Sequence, residues 1–141
     1  MTFQTSISPQ TSIPSRVQIF RPAVEPDVGG LPAWKTRRVL AHIDASLDGV
    51  IYNTELARIA NLSVSHFGRS FRKTFGQPVH VYVLGRRVAL AQALMLESRQ
   101  ALADIALACG FSDQAHMTRV FGRMVGVTPH RWRQMGGQRL Q

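Results

Sequence analysis

The feature that most constrains this chain is that its second half repeats its first. Leu56-Ala57 through Leu62-Ser63 recurs as Ile105-Ala106 through Phe111-Ser112, at an offset of 49. After one inserted residue, His66-Phe67, Arg69, Phe71, Gly76 and Tyr82 recur as His116-Met117, Arg119, Phe121, Gly126 and Trp132, at an offset of 50. Each copy reads as a short helix, a tight turn and a second, amphipathic helix. The turn needs a residue comfortable at positive φ, and Asn61 and Gly110 stand at the equivalent place. This is a helix-turn-helix signature written twice.

The rest of the chain is helical around that repeat. Trp34, Val39, Leu40, Ile43 and Leu47 have roughly helical spacing, which predicts a first helix from about Ala33 to Leu47, ended near Gly49. Asn53 or Thr54 is expected to cap a short helix through Ala60, and Ser63 a third in which Phe67, Phe71 and Phe75 recur every fourth residue. Gly76 closes it. Pro78 suits the first turn of a long helix to about Ser98, with Val81, Tyr82, Val88, Ala91, Leu94 and Met95 facing a core. Leu102, Ile105, Ala106 and Cys109 mark a short helix. Ser112 or Asp113 caps the next, which carries Met117, Val120, Phe121 and Met124. Thr128-Pro129 opens a last short helix through Trp132. Strand signals are nearly absent, so the expected fold class is all-α with about seven helices.

Charge narrows the function. The 141 residues hold 17 Lys and Arg against 8 Asp and Glu, a formal charge of +9. Residues 1–30 are neutral overall, with Arg16 and Arg21 against Glu25 and Asp27, while residues 31–141 carry 15 basic and 6 acidic side chains. Residues 1–30 are rich in proline and are expected to be a disordered tail; the folded part is placed at 31–135, and residues 136–141 are read as a C-terminal tail. No uninterrupted apolar run approaches the ~18 residues of a membrane span, and no export signal opens the chain. Cys109 is the single cysteine, which excludes an internal disulfide framework and a cysteine-based zinc cluster. The expectation is a soluble, cytoplasmic, basic protein with an anionic partner.

At this point the sequence resembles the DNA-binding domain of the AraC/XylS family of bacterial transcription regulators. The resemblance is most specific from Asp104 through Phe121 and in Gly126-Val127-Thr128-Pro129, and looser through Leu56-Ala57, Leu62-Ser63, His66-Phe67, Arg69, Phe71, Gly76, Tyr82 and Arg87. It implies two helix-turn-helix subdomains, at about 53–75 and 102–125, joined by a linker helix at 78–98. It also implies two recognition helices entering successive major-groove segments of double-stranded DNA. The family's base-reading positions fall on Ser65, Gly68 and Arg69 in the first unit. In the second unit the equivalent face shows Gln114, Ala115, Thr118 and Arg119. Gln114 suits adenine, Arg119 suits the guanine O6/N7 pair, and Ala115 offers only an apolar contact. Gly68 departs from the pattern because it has no side chain with which to read a base.

Arg72, Lys73, Arg123 and Arg133 are expected on phosphates, where they add affinity without sequence information. His66 and His116 are read as packing or phosphate-touching residues and not as metal ligands. Arg87 is expected to be structural, paired with Asp104 or a helix C-terminus, and Cys109, Tyr82 and Trp132 are expected in the core. The resemblance implies a transcription activator, with RNA polymerase as a further partner. No catalytic residue, metal, cofactor, membrane or small-molecule effector site is called for. An enzyme joined to such a domain, for instance an alkyl-transfer repair protein, would need a cysteine cluster. The alternatives are a nonspecific nucleic-acid-binding basic protein, or the DNA-binding fragment of a longer ligand-sensing regulator; a stand-alone regulator is the expectation.

Overall fold

A computed structural model of the chain describes residues 29–137; the expected tails therefore lie outside the described residues over 1–28 and 138–141. Among the described residues there are seven helices and no strand: α1 (Ala33–Ala45), α2 (Asn53–Ile59), α3 (Val64–Phe75), α4 (Val79–Glu97), α5 (Leu102–Ala108), α6 (Gln114–Val125) and α7 (Pro129–Gln134). The chain divides into two compact units inside α4, between Leu84 and Gly85. That long helix passes through the division as the linker expected from the sequence.

In the first unit, α1 packs on α2 and α2 on α3. Phe67, Phe71 and Phe75 are buried along one face of α3 because a spacing of four returns to the same side of a helix. Tyr82, from the first turns of α4, closes over them: its ring stands edge-on to Phe71 at 5.6 Å between centroids and lies 5.1 Å from Phe75. Leu31 enters this core as well, and its N–H donates to the buried Thr74 hydroxyl at 2.8 Å.

The second unit is built alike. α5 packs on α6 and α6 on α7, over a core that includes Ile105, Ala106, Phe111, Met117, Val120, Phe121 and Trp132. Trp132 stands edge-on to Phe121 at 5.9 Å and 71°, as Tyr82 does to Phe71 at 74°. The repeat therefore extends from sequence spacing to the geometry of one aromatic pair. It also makes the start of α4 the counterpart of α7.

Both helix-turn-helix corners are the same hydrogen-bonded turn. Asn61 at φ 58 and Gly110 at φ 86 occupy the left-handed region. Leu62 N–H reaches Ala57 O at 2.9 Å, and Phe111 N–H reaches Ala106 O at 2.9 Å. Asn61 and Gly110 themselves donate to Arg58 O and Leu107 O. These are the two bonds of a Schellman termination, with a hydrophobic residue following the left-handed one in each case.

Some details differ from expectation. α1 stops at Ala45, and α2 begins at Asn53 with Tyr52 in the capping place and no side-chain cap, so neither Asn53 nor Thr54 caps it. Trp34 is 48% exposed and takes no part in the core; Lys35 Nζ and the Arg38 guanidinium lie over its ring at 5.5 and 5.6 Å. α4 is long and apolar enough to cross a membrane by length and composition, but more than half of it is buried. Arg86 and Arg87 also stand near its middle, where charges are costly in lipid. Cys109 is fully buried in the second unit, and burial pushes its thiol up to about 12, partly offset by the positive charge of Arg87.

Candidate nucleic-acid interface

The two candidate reading helices begin with different caps on the same turn. In the first unit the Ser63 hydroxyl accepts from His66 N–H at 3.1 Å and opens α3. In the second unit the residue aligned with Ser63 is Ser112, yet the cap is the next residue: Asp113 accepts from His116 N–H at 2.8 Å. The single inserted residue thus falls at the cap. Ser112, released from capping, places its N–H 3.3 Å and its hydroxyl 3.2 Å from His116 Nδ1. Because a backbone N–H can only donate, the neutral imidazole carries its own proton on Nε2. The ring also stands edge-on to Phe111 at 5.3 Å and is half-buried. His66 is exposed.

Both helices end on a left-handed glycine, Gly76 at φ 75 and Gly126 at φ 99, so each is held at a defined length by a cap and a stop. Burial of the aromatic and aliphatic face leaves the opposite face of each helix outward. Ser65, Arg69, Arg72 and Lys73 are exposed on α3, with Gly68 half-buried. On α6, Gln114, Ala115, Arg119 and Arg123 are exposed and Thr118 is half-buried. Among the described residues, the side chains of Arg69, Arg72, Lys73, Arg119 and Arg123 make no hydrogen bond or ion pair. Arg58, one turn before the first corner, is by contrast paired with Glu55, which lowers that carboxyl's pKa.

A carbon added at Gly68 would meet nothing within 4 Å, and the same holds at Gly122 on α6. Packing within the chain therefore does not require either glycine. Arg133, expected on a phosphate, is engaged elsewhere. Its Nε, Nη1 and Nη2 donate to the carbonyls of Met95 at 3.3 Å, Gln100 at 2.7 Å and Ser98 at 2.8 Å. Sequence spacing held no sign of this contact, since the partners lie 33 to 38 residues away. The turn of α2 into α3 also borders a shallow open groove of about 430 Å³, lined by Thr54, Ala57, Arg58, Asn61, Leu62, Ser63 and Val64.

Residues 56–135 match the helix-turn-helix domain family, which takes in both corners and all of α4. The chain is 35% identical over 91 residues to the probable transcriptional regulator LumQ of Photobacterium leiognathi, covering 64% of this chain and 37% of that protein. It is 30% identical over 102 residues to the HTH-type transcriptional activator RhaR of Escherichia coli K12, covering 72% of this chain and 36% of RhaR. The chain thus spans a little over a third of the length of these relatives. Among solved structures, an AraC-type regulator from Chromobacterium violaceum superimposes with a TM-score of 0.70 at 23% identity, covering 75% of this chain and 95% of that one. The DNA-binding domain of AdpA, solved in complex with a target DNA, does so with a TM-score of 0.66 at 27% identity, covering 70% and 89%.

Proposed function

The chain belongs to the AraC/XylS family of helix-turn-helix proteins, and from that premise we propose that it is a sequence-specific DNA-binding transcription regulator, acting as an activator. The observation that carries this reading is the placement of Arg69 and Arg119. They stand at the same point of two repeated helices, exposed and without an ion-pair partner among the described residues. An arginine fork so placed matches the O6/N7 edge of guanine. In this reading α3 presents Ser65, Gly68 and Arg69 to base edges, and α6 presents Gln114, Ala115, Thr118 and Arg119. Arg72, Lys73 and Arg123 neutralise phosphates beside them, with the rings of His66 and His116 as further donors. Arg133 is left out of this set because three of its donors are on main-chain carbonyls. The AdpA domain was solved with DNA and RhaR is called an activator; both support the assignment, with RNA polymerase as the partner through which activation would act and the cytoplasm as the setting.

The test is selection of bound sequences from a random duplex pool, followed by titration at ~150 mM salt. A specific reader should bind the selected duplex at least ~10³-fold more tightly than a scrambled one. Arg119→Ala should cost about 1–3 kcal/mol and relax preference at one base position, while Arg72→Ala should weaken all duplexes alike and lower the salt slope by about 1. Selection that returns no consensus would replace this reading with a nonspecific basic binder.

A further inference from the structure

We propose that Arg133 is a positioning residue for the second reading helix, acting by holding the corner between α4 and α5. Resting on the DNA-reading assignment above, the inference concerns a residue that would not itself touch DNA. α4 ends at Glu97 and α5 starts at Leu102, and the last carbonyls of a helix have no partner within it. One guanidinium reaches across this corner. It takes the carbonyl of Met95 in the last turn of α4, and those of Ser98 and Gln100 in the connection. Its positive charge also lies at the negative end of the α4 dipole. Three divergent acceptors suit the rigid planar fork of arginine; a lysine ammonium is a single point of charge.

The corner leans on that reach because the start of α5 has no side-chain cap. α6 and α7 start on side-chain caps, Asp113 and Thr128, whereas the residue in the capping place of α5 is Ala101, which has no side chain that can cap. The Ser98 hydroxyl donates to Leu94 O at 2.8 Å and accepts from Gln100 N–H at 3.3 Å, which shapes the connection but does not tie it to the rest of the unit. Arg133 supplies that tie from α7, which is itself seated by Trp132 against Phe121. The place where α5 begins sets where α6 lies, since α6 packs on α5.

The experiment compares the wild-type chain with Arg133→Ala and Arg133→Lys in two arms. In free protein, amide hydrogen exchange should quicken about tenfold or more at Leu102–Cys109 in Arg133→Ala, as charged hydrogen bonds are lost, and stay unchanged at Phe67–Phe75. Arg133→Lys, although it keeps the charge, should resemble the alanine variant. On the duplex recovered by selection, Arg133→Ala should lose hydroxyl-radical protection over the half-site read by α6 and keep it over the other, with an unchanged salt slope. A salt slope lowered by about 1, a uniformly weakened footprint, or full rescue by lysine would overturn the proposal and return Arg133 to the phosphates. Unchanged exchange at Leu102–Cys109 would also overturn it. If the wild type selects no sequence, the regulator reading fails, and the exchange arm still decides whether Arg133 holds the corner.

Discussion

Replacing Gly68 with alanine separates what the fold needs from what the ligand needs. Gly68 lies inside α3, outside the left-handed region, and an added carbon there meets nothing within 4 Å. Glycine in a helix interior is worse than alanine by about 0.5–1 kcal/mol, mostly through the freedom it has in the unfolded chain. With no clash to offset the gain, Gly68→Ala should stabilise the folded chain by about 0.4–1 kcal/mol. For a domain of roughly this size that is a rise in Tm of a few degrees, ~2–6 °C. Gly122→Ala, equally open on α6, is the internal control and should gain a similar amount. Thermal and urea denaturation measure both, and titration of the selected duplex measures the consequence. If Gly68 is present so that the α3 backbone can approach DNA closely, Gly68→Ala should lose about tenfold or more in affinity (about 1.4 kcal/mol) while becoming more stable. Gly122→Ala should lose little. A less stable Gly68→Ala would refute the packing argument. A more stable variant with unchanged affinity would refute close approach and mean that α3 reads its half-site only weakly there.

Other expectations follow from single contacts. A carbon added at Gly137 would come within 2.8 Å of Leu96 Cδ2 and 3.1 Å of the Trp132 ring at φ 73, so Gly137→Ala should lower stability by about 1–3 kcal/mol in a denaturant titration. Asp113→Ala and Ser63→Ala each remove one helix cap and should cost about 0.5–2 kcal/mol; equal values in chemical denaturation would show that the inserted residue kept the function of the cap. Cys109 should react with an alkylating reagent only as fast as the second unit opens, because the buried thiol stays protonated. Its folded pKa is raised above the ordinary 9.0, so its contribution to stability should be intact below pH 9.0 and fall as pH rises toward about 12.

What sequence reading captured here is local chemistry that has one dominant structural solution. Asn61 and Gly110 can be placed in advance because few residues accept positive φ, and Gly76, Gly126 and Thr128-Pro129 mark helix ends for equally direct reasons. The phenylalanines of α3 are spaced so that only one face can be buried. Other features lie beyond such rules. Ser112 and Asp113 are both good caps, and choosing between them needs the hydrogen bonds that give Ser112 to the His116 ring. Trp34 fits a helical period, but its neighbours in the sequence do not show that no core faces it; its indole instead carries Lys35 and Arg38. Arg133 resembles the other surface arginines until the chain folds and brings three carbonyls to it. For Arg133 the deciding neighbours lie 33 to 38 residues away along the chain.

The matched pairs Phe71–Tyr82 and Phe121–Trp132 also say where this polypeptide can be cut or joined. The repeat suggests two modules with a seam at Pro78, where the first Gly76 stop is followed by a new helix start. The aromatic lid of the first module, however, is borrowed from the opening turns of α4, beyond that seam. A fusion or truncation ending at Pro78 would expose the phenylalanine face of α3, while one ending past Leu84 would keep it covered. The natural boundary of the module lies inside a continuous helix, so any insertion, swap or split of the gene has to respect a joint that carries no loop.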